Sequence, residues 1–256
     1  MEKDDMIKAI VLAGGFATRL YPLTQALPKP LLPVGGRPLI SYIIEKLEKC
    51  DYIDEIIVST NKRFEDHFRN WLEDLNCTKK VRIVVEDALD EKEKFGTIGA
   101  LNFLINTQKI QNDCLIIGGD NLFDFEISDF VNYYRQVKKP VIALHDIKDL
   151  EKAKKFGVAD VKDNKIVGFV EKPSEPPSSL VSTCCYIFPK DVLSLIPKYL
   201  DESKQRDAPG YFISWLKDKQ EIHGFVFDNQ WFDIGDMDSL AAANRFIEEK
   251  MKTAKL

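Results

Sequence analysis

The chain is poor in the residues that the commonest metal and acid–base sites use. Its 256 residues include only three histidines, which stand far apart and far from any cysteine. The five cysteines form no C-x-x-C pair, and two of them are adjacent, which does not suit an ordinary disulfide. Zinc sites, Ser-His-Asp catalysis and a disulfide framework are therefore poorly supported. Reduced thiols in a cytoplasmic protein are the simpler interpretation, and any metal needs oxygen ligands, which favours magnesium or manganese.

Excess positive charge and long apolar runs are also lacking. The 36 Lys and Arg residues against 41 Asp and Glu give a net charge of −5, whereas a non-specific nucleic-acid binder needs a basic face. No apolar run approaches the roughly 18–20 residues of a membrane span. The first six residues have no signal-peptide core. We therefore expect a cytoplasmic protein with neither a membrane nor a nucleic-acid partner.

Short apolar runs alternate with helical patterns through the first 140 residues. The predicted strands are 7–13, 55–59, 81–85, 114–118 and 141–144, and the predicted helices are 38–50, 62–75 and 97–106. Strands that are buried on both sides and separated by helices imply an α/β fold. We expect a largely parallel central sheet with helices on both faces.

The pattern changes after Pro140. The segments 157–161 and 165–170, joined by Lys-Asp-Asn, predict a hairpin, and 181–188 predicts another strand. Helices are expected over 211–216 and 237–251. The charged run 146–155 is typical of a solvated helix face, and 172–179 of a surface loop rather than a linker. No hexapeptide β-helix pattern follows.

The first predicted strand ends in a glycine-rich turn, Leu12-Ala-Gly-Gly-Phe-Ala-Thr-Arg-Leu20. Such a turn exposes backbone N–H groups that can bind phosphate. It matches neither G-x-G-x-x-G nor the P-loop, because the two glycines are adjacent and no Gly-Lys-Ser/Thr follows. A tight strand-exit turn explains Gly-Gly equally well. The nearby cations Arg19 and Lys29 favour phosphate binding. The prolines that flank Lys29 would keep it in a stiff loop. A solvated lysine in a proline turn is the simpler alternative for Lys29.

Two aspartates are candidate magnesium ligands. Asp120 follows a buried predicted strand, and acids at the carboxyl ends of central parallel strands lie where α/β sheets bind ligands. Asp233, in Trp-Phe-Asp-Ile-Gly, is the second candidate, since two carboxylates plus substrate phosphates complete an oxygen shell. A turn or N-cap role remains the alternative for Asp120.

Glu171 and Lys172 end another predicted strand just before Pro173. Neighbours in a strand point to opposite faces, so both side chains reach one ligand only where the chain bends, and the proline makes a bend plausible. The alternative is an exposed acid–base pair at a sheet edge, which contributes almost nothing.

These motifs occur in the same order in the sugar-phosphate nucleotidyltransferases, and the chain resembles that family, closest to its glucose-1-phosphate thymidylyltransferase-like group. The resemblance runs from about Ile7 to Leu240. Its elements are L-A-G-G-x-x-T-R-L at 12–20, P-K-P-L-L-P-V at 28–34, G-T-x-G-A-L at 96–101, G-D-N at 119–121, F-G-V at 156–158, V-E-K-P at 170–173 and W-F-D-I-G at 231–235. Each element is modest alone, but the ordered series is highly specific.

The resemblance implies a Rossmann-like, GT-A-like mixed sheet and the reaction of an NTP with a sugar 1-phosphate to give an NDP-sugar and pyrophosphate. It implies one domain over 1–256, with 7–140 binding the nucleotide, 141–236 binding the sugar phosphate and a C-terminal helix at 237–256. The implied residues are catalytic Arg19 and Lys29; nucleotide-binding Leu12, Ala13, Gly14, Gly15, Gly96, Thr97 and Gly119; sugar-phosphate-binding Asn121, Gly157, Glu171 and Lys172; and the Mg²⁺ ligands Asp120 and Asp233.

The chain departs from the family pattern at two places. Phe16-Ala17 stands where many relatives carry a second small glycine, and the acidic segment 85–95 lacks the glutamine that thymidylyltransferases use near the base. The first expectation for the substrates is dTTP or UTP with glucose 1-phosphate. A mannose- or heptose-1-phosphate guanylyltransferase, or a cytidylyltransferase, stays open.

Two rival functions share this fold. Asp236-Met-Asp238 fits the D-x-D metal motif of GT-A glycosyltransferases, although it begins a predicted helix, where acids act as caps. A non-catalytic sensor would have been favoured by loss of Lys29 or of a metal aspartate, and all are present. The last helix carries apolar residues at helical spacing, which predicts packing on the chain's own core or a homodimer seam.

Overall fold

The computed structural model describes residues 6–253. The first five residues, which belong to the stretch where we expect no signal peptide, and the last three residues of the predicted C-terminal helix lie outside this range. Within it, no helix combines the length and apolar character needed to cross a bilayer.

The described residues form thirteen strands, and nine of them make one central sheet. The strands are β1 Ile7–Leu12, β2 Pro33–Val34, β3 Arg37–Pro38, β4 Ile53–Asn61, β5 Lys80–Glu86, β6 Cys114–Gly118, β7 Asn121–Phe123, β8 Val141–Asp146, β9 Gly157–Lys162, β10 Lys165–Glu171, β11 Leu180–Phe188, β12 His223–Phe227 and β13 Trp231–Asp233. The order in the central sheet is β5-β4-β1-β6-β11-β8-β12-β10-β9. β7 pairs with β13, and β2 with β3, in two small antiparallel ribbons.

Helices cover both faces of this sheet, as the sequence predicts. They are α1 Leu23–Ala26, α2 Leu39–Glu48, α3 Glu65–Glu73, α4 Thr97–Gln108, α5 Ile127–Val137, α6 Leu150–Ala153, α7 Lys190–Leu193, α8 Ile196–Glu202, α9 Pro209–Lys217 and α10 Met237–Thr253. Side chains alternate along β1, so Ala9 and Val11 join the core under α2, α3 and α5, while Ile10 joins the core under α4, α8 and α9. Both cores are continuous and apolar.

The α/β class is confirmed, and the sheet is mixed. Its first four strands, β5, β4, β1 and β6, pair in parallel, as their helical connections require. β11, which follows the confirmed hairpin β9–β10, runs antiparallel to both β6 and β8. Parallel pairing therefore dominates only the first half of the sheet.

Some elements differ from the predictions in extent. The charged run 146–155 forms only the single-turn α6, because β8 continues to Asp146. The helix expected over 62–75 begins with a 3-10 turn, Lys62–Phe64, before α3. The loop prediction for 172–179 is confirmed, whereas the sequence patterns missed α5 and β12.

The C-terminal helix α10 packs on the chain's own core. Leu240, Ala243 and Ile247 are buried against a small apolar cluster that includes Val34. The Asn244 side chain accepts a hydrogen bond of 2.9 Å from the Gly35 N–H. The predicted apolar stripe therefore has an internal partner, and α10 anchors the β2–β3 ribbon.

Candidate active site

The site lies where the order of the parallel strands reverses. β4 and β5 follow β1 on one side, β6 lies on the other side, and Leu12 is in register with Gly118. The Gly119 N–H donates to the Leu12 carbonyl at 2.8 Å, which joins the two strand ends. Such a reversal opens a crevice at the carboxyl ends of the strands, and ligands bind there in open α/β sheets.

The glycine turn after β1 presents unpaired backbone donors to this crevice. Ala13 still donates to the Ser59 carbonyl at 2.7 Å, but within residues 6–253 the N–H groups of 14–17 donate to no protein group. Asn61 fixes the turn by donating to the Gly14 carbonyl at 2.9 Å. Phe16 is buried against Phe64 in the apolar core. The geometry suits an anion such as phosphate.

Lys29 reaches the crevice from a 3-10 turn, Lys29–Leu31, between two buried prolines. Its Nζ lies 2.7 Å from Asp120 Oδ2, and only 12% of the lysine side chain is exposed. Lys29 is therefore a fixed, largely desolvated cation rather than a solvated surface lysine.

Asp120 is oriented by its neighbour. The Asn121 amide donates to Asp120 Oδ1 at 3.1 Å and to the Gly118 carbonyl at 3.2 Å, and accepts from Trp231 Nε1 at 2.7 Å. Asn121 itself is buried. Both oxygens of Asp120 consequently have defined partners, Lys29 on one side and Asn121 on the other.

The β7–β13 ribbon brings Asp233 beside Asp120. Asp233 pairs with Asn121 in the ladder, and the Ile234 N–H donates to the Asp120 carbonyl at 3.1 Å. Burial and then the charge of Asp120 raise the pKa of Asp233 to about 6, although Lys29 and Arg19 act in the opposite direction. The ribbon thus concentrates negative charge that a cation would relieve.

Arg19 borders the same group of charges. It is the exposed middle residue of the 3-10 turn Thr18–Leu20. A Cβ added to Gly235 would lie 3.7 Å from both Arg19 Nη2 and Asp233 Oδ2, so the guanidinium and the carboxylate flank this glycine.

The described residues contain no group of three or more His, Cys, Asp or Glu side chains arranged to hold a metal ion. Asp120 and Asp233 are a pair of carboxylates, and Mg²⁺ commonly binds one or two carboxylates and takes its other ligands from water and phosphates. The donor set fits such an ion in the presence of a phosphorylated substrate.

The rival metal motif has a structural explanation. Asp236 Oδ1 accepts a hydrogen bond of 2.9 Å from the Ser239 N–H at the start of α10, and hydrogen bonds from Ser239 lower the pKa of Asp236. The D-x-D string therefore begins a helix and does not end a central strand.

The turn before α4 closes the opposite side of the crevice. Gly96 has φ +72°, and a Cβ there would lie 2.6 Å from the Arg206 carbonyl. That carbonyl accepts from the Ile98 N–H at 3.0 Å, and the Asp207 carbonyl accepts from the Thr97 N–H at 3.3 Å. The Thr97 N–H is therefore already used within the protein, although the residue lines the cavity.

Glu171 and Lys172 lie at the bend expected from the sequence. β10 ends at Glu171, and Lys172 has a left-handed φ of 48° and an exposed side chain. A Cβ on Gly157 would lie 2.8 Å from Glu171 Oε2, and one on Gly210 would lie 1.9 Å from it. These two glycines make room for the carboxylate, whose pKa is raised by burial despite the adjacent lysine.

A cavity of about 200 Å³ contains much of this site. Its walls include Gly14, Gly15, Lys29, Asp120, Gly96 and Thr97. They also include Glu86, Lys94 and Cys184, which the sequence analysis missed. Glu86 could have been found, because it directly follows a predicted buried strand and so belongs to the same sheet edge as Asp120.

Cys184 had no detectable signal in the sequence. It lies at an irregularity of β11 with φ 53°, a left-handed conformation that is uncommon outside glycine. Burial and the charge of Asp120 raise the pKa of its thiol to about 12, so it is a neutral wall of the cavity and no nucleophile.

The fold and the site together define an α/β protein whose cleft combines an open glycine turn, the largely buried Lys29 and a carboxylate pair. Residues 8–250 match the model of the nucleotidyl transferase family, and the chain belongs to this family.

Known relatives agree with this membership. The bifunctional protein GlmU of Methanocaldococcus jannaschii is 29% identical over 248 residues, which covers 96% of this chain and 55% of the relative. A Mycobacterium tuberculosis mannose-1-phosphate guanylyltransferase is 28% identical over 236 residues, which covers 90% and 61%. The chain spans little more than half the length of the curated relatives it matches.

A solved structure supports the fold. A Bacillus anthracis protein, provisionally described as a glucose-1-phosphate thymidylyltransferase and crystallised with sucrose, superposes with a TM-score of 0.80. The two chains are 29% identical, and the match covers 94% of each. The GT-A-like nucleotidyltransferase architecture expected from the sequence is confirmed.

Proposed function

We propose that this chain transfers a nucleotidyl group from an NTP to a hexose 1-phosphate, giving an NDP-hexose and pyrophosphate. The observation that carries the proposal is the 2.7 Å contact of Lys29 Nζ with Asp120 Oδ2 beside the open glycine turn. Segment 7–140 would bind the nucleotide and segment 141–236 the sugar phosphate, within one cytoplasmic nucleotidyltransferase domain.

The reaction joins two anions, so positioning and charge neutralisation are the main tasks. A phosphate oxygen of the sugar 1-phosphate forms a bond to the α-phosphorus, and the bond from that phosphorus to the bridging α–β oxygen breaks as pyrophosphate leaves. The attacking oxygen is already ionised, which removes the need for a general base. The scarcity of histidine fits this chemistry.

The backbone donors and the cationic side chains of the site have separate proposed roles in this reaction. The N–H groups of Gly14 and Gly15 would receive the triphosphate, and the exposed Arg19 would contact its β- and γ-phosphates. Lys29, fixed between its prolines, would stabilise the charge that develops at the α-phosphate.

Asp120 and Asp233 would hold Mg²⁺, because the β7–β13 ribbon brings the two carboxylates together and a bound cation would counter the burial that raises the pKa of Asp233. When bound, Mg²⁺ supplies a Lewis acid that neutralises phosphate charge. Asn121 is fully engaged with protein groups, and we therefore assign it the orientation of Asp120 in place of the direct sugar-phosphate contact expected from the sequence.

The sugar side would use Glu171 and Lys172. The Glu171 carboxylate accepts no hydrogen bond from a described protein donor, so sugar hydroxyls can donate to it. Lys172 is exposed at the bend and would bind the sugar phosphate. Gly157 would serve this side by leaving space for Glu171.

Pyrophosphate release tests the proposal. Purified protein with Mg²⁺ is assayed against ATP, GTP, CTP, UTP and dTTP, each with glucose, mannose and several other hexose 1-phosphates. We expect turnover that needs both substrates and yields an NDP-hexose. Asp120→Asn should abolish it while the unfolding transition is retained, whereas Asp124→Asn, at an exposed ion pair with Lys250, should leave it unchanged. Release without an NDP-hexose, or none with any pair, would refute the proposed function.

A further inference from the structure

Glu86, the last residue of β5, points a carboxylate into the cavity beside the glycine turn. The residue is only 5% exposed. A Cβ added to Gly14 would lie 3.4 Å from Glu86 Oε1 and 3.8 Å from Oε2, so the carboxylate packs against this glycine. The Ser59 hydroxyl donates to Oε1 at 2.8 Å and fixes the orientation of the group.

One oxygen of this carboxylate has no protein partner among the described residues. Within residues 6–253, no protein group donates to Oε2 and no cation forms an ion pair with Glu86. Burial raises the pKa of Glu86, and the hydrogen bond from Ser59 only partly opposes this effect. A buried carboxylate with a single donor is costly unless a ligand supplies further donors.

The position of Glu86 places it at the nucleoside end of the site. β5 and β6 are separated by three strand spacings, roughly 14 Å, with the glycine turn of β1 between them. With the α-phosphate near Asp120, at the end of β6, a nucleotide that crosses the glycine turn brings its base to Glu86. The turn at Gly96 and Thr97 lines the same cavity.

An ionised carboxylate only accepts hydrogen bonds, so the donors of each base decide the match. Guanine presents two adjacent donors, N1–H and the N2 amino group. Thymine and uracil present one N–H between two carbonyl oxygens. A carboxylate that accepts from this N–H would have its second oxygen close to a carbonyl oxygen, and the two acceptors repel each other. Adenine and cytosine present one amino donor beside an unprotonated ring nitrogen. Guanine is the base that satisfies both carboxylate oxygens.

We propose that Glu86 selects a guanine nucleotide, accepting hydrogen bonds from N1–H and N2–H₂ through its two carboxylate oxygens. This inference rests on the proposed function and replaces the thymidine or uridine expected from the sequence. It makes GTP the preferred nucleotidyl donor, and the specificity comes from buried acceptors that other bases leave unpaired.

The first test is the donor preference of the wild-type protein at pH 8, measured as kcat/KM for pyrophosphate release. Two hydrogen bonds to a charged acceptor predict that GTP exceeds UTP and dTTP by about 10²-fold or more. Preference for UTP or dTTP would overturn the inference and leave the proposed function intact.

The second test exchanges the acceptor for an amide. Glu86→Gln offers one donor and one acceptor, which complements the N3–H and O4 of uracil and thymine. We expect the ratio of kcat/KM for GTP to that for UTP or dTTP to fall by about tenfold or more, because the amide loses one of the two acceptors that N1–H and N2–H₂ use and gains a donor for O4. Asp87→Asn is the matched control, because Asp87 is the next carboxylate along the chain and is exposed, and it should keep the wild-type preference. An unchanged GTP preference in Glu86→Gln would overturn the inference.

A binding experiment separates the two proposals. Calorimetric titration of the wild-type protein with GDP and with UDP needs no sugar phosphate and no turnover. The inference predicts that GDP binds at least about tenfold more tightly. If no pair of substrates reacts but GDP is preferred, the proposed function fails and the guanine site stands. Equal affinities, or tighter binding of UDP, refute the guanine site.

Discussion

The two ends of the sheet treat buried carboxylates in opposite ways. At the amino end of the parallel strands, Glu55 accepts from Lys80 at 2.6 Å and from Arg82 at 2.9 Å, with Lys8 at 3.3 Å. Burial alone would raise the pKa of Glu55, but these cations lower it to about 2. At the carboxyl end, burial raises the pKa of Glu86 and Glu171, which have no cation bonded to them among the described residues.

At the amino end of the sheet the buried carboxylate is paired within the protein, whereas at the carboxyl end, which carries the candidate site, the buried carboxylates have no cation partner among the described residues. The charge of Glu55 is satisfied within the protein and therefore contributes to stability. At the other end, Glu86 has the Ser59 hydroxyl as its single internal donor and Glu171 has none among the described residues, so their burial is favoured when ligands supply hydrogen bonds or a cation. Glu86 belongs to none of the sequence motifs, yet it lines the same cavity as Lys29 and Asp120.

The largest expected effect contrasts Lys29, in the candidate site at the carboxyl end of the parallel strands, with Lys8, beside Glu55 at their amino end. Lys29→Ala removes the cation beside Asp120 and should lower kcat for nucleotidyl transfer by about 10³-fold, since charge stabilisation at the reacting phosphate is lost. Lys8→Ala removes a cation from the Glu55 cluster at the other end. It should lower the unfolding temperature and keep kcat within about twofold. Near-normal turnover by Lys29→Ala would remove Lys29 from the reaction.

A smaller effect is expected at Glu55 itself. Glu55→Gln should reduce the free energy of unfolding at pH 7 by about 1–3 kcal/mol. Because the folded-state pKa is depressed from 4.5 to about 2, this stabilisation is present above pH 4.5 and disappears as the pH falls towards 2. Thermal unfolding of both proteins between pH 2 and pH 7 measures the difference. A gap that does not narrow on acidification would show that the charge of Glu55 is unimportant.

The smallest expected effect is on sugar-phosphate binding. Lys172→Ala should raise KM for the hexose 1-phosphate about tenfold with little change in kcat, because an exposed lysine contributes ground-state binding. Lys154→Ala, at an exposed pair with Glu151, is the control and should not change KM. Steady-state kinetics at saturating NTP measure KM for the hexose 1-phosphate, and an unchanged KM for Lys172→Ala would contradict the proposed role of Lys172.

The sequence predicted the elements whose patterns are local. The strand 114–118 was predicted with the observed bounds, and the apolar stripe of α2 contains the buried Leu39, Ile43, Ile44 and Leu47. The bend at Lys172 followed from the proline after it. β12 was missed because it is partly exposed and so lacks a continuous apolar run. β13 was missed because it is formed only by pairing with β7.

Residue order by itself determined the α/β class and identified the glycine turn, Lys29, Asp120 and Asp233 as candidates, because strand ends, proline turns and acid positions are local features. Tertiary structure alone decided that Asp233 lies beside Asp120, that Trp231 donates a hydrogen bond to Asn121, and that Glu86 faces the cavity with one carboxylate oxygen that accepts no hydrogen bond from a described residue. The reason is physical: the pairing of distant strands decides which side chains become neighbours, and the burial that follows decides which of their charges remain unsatisfied.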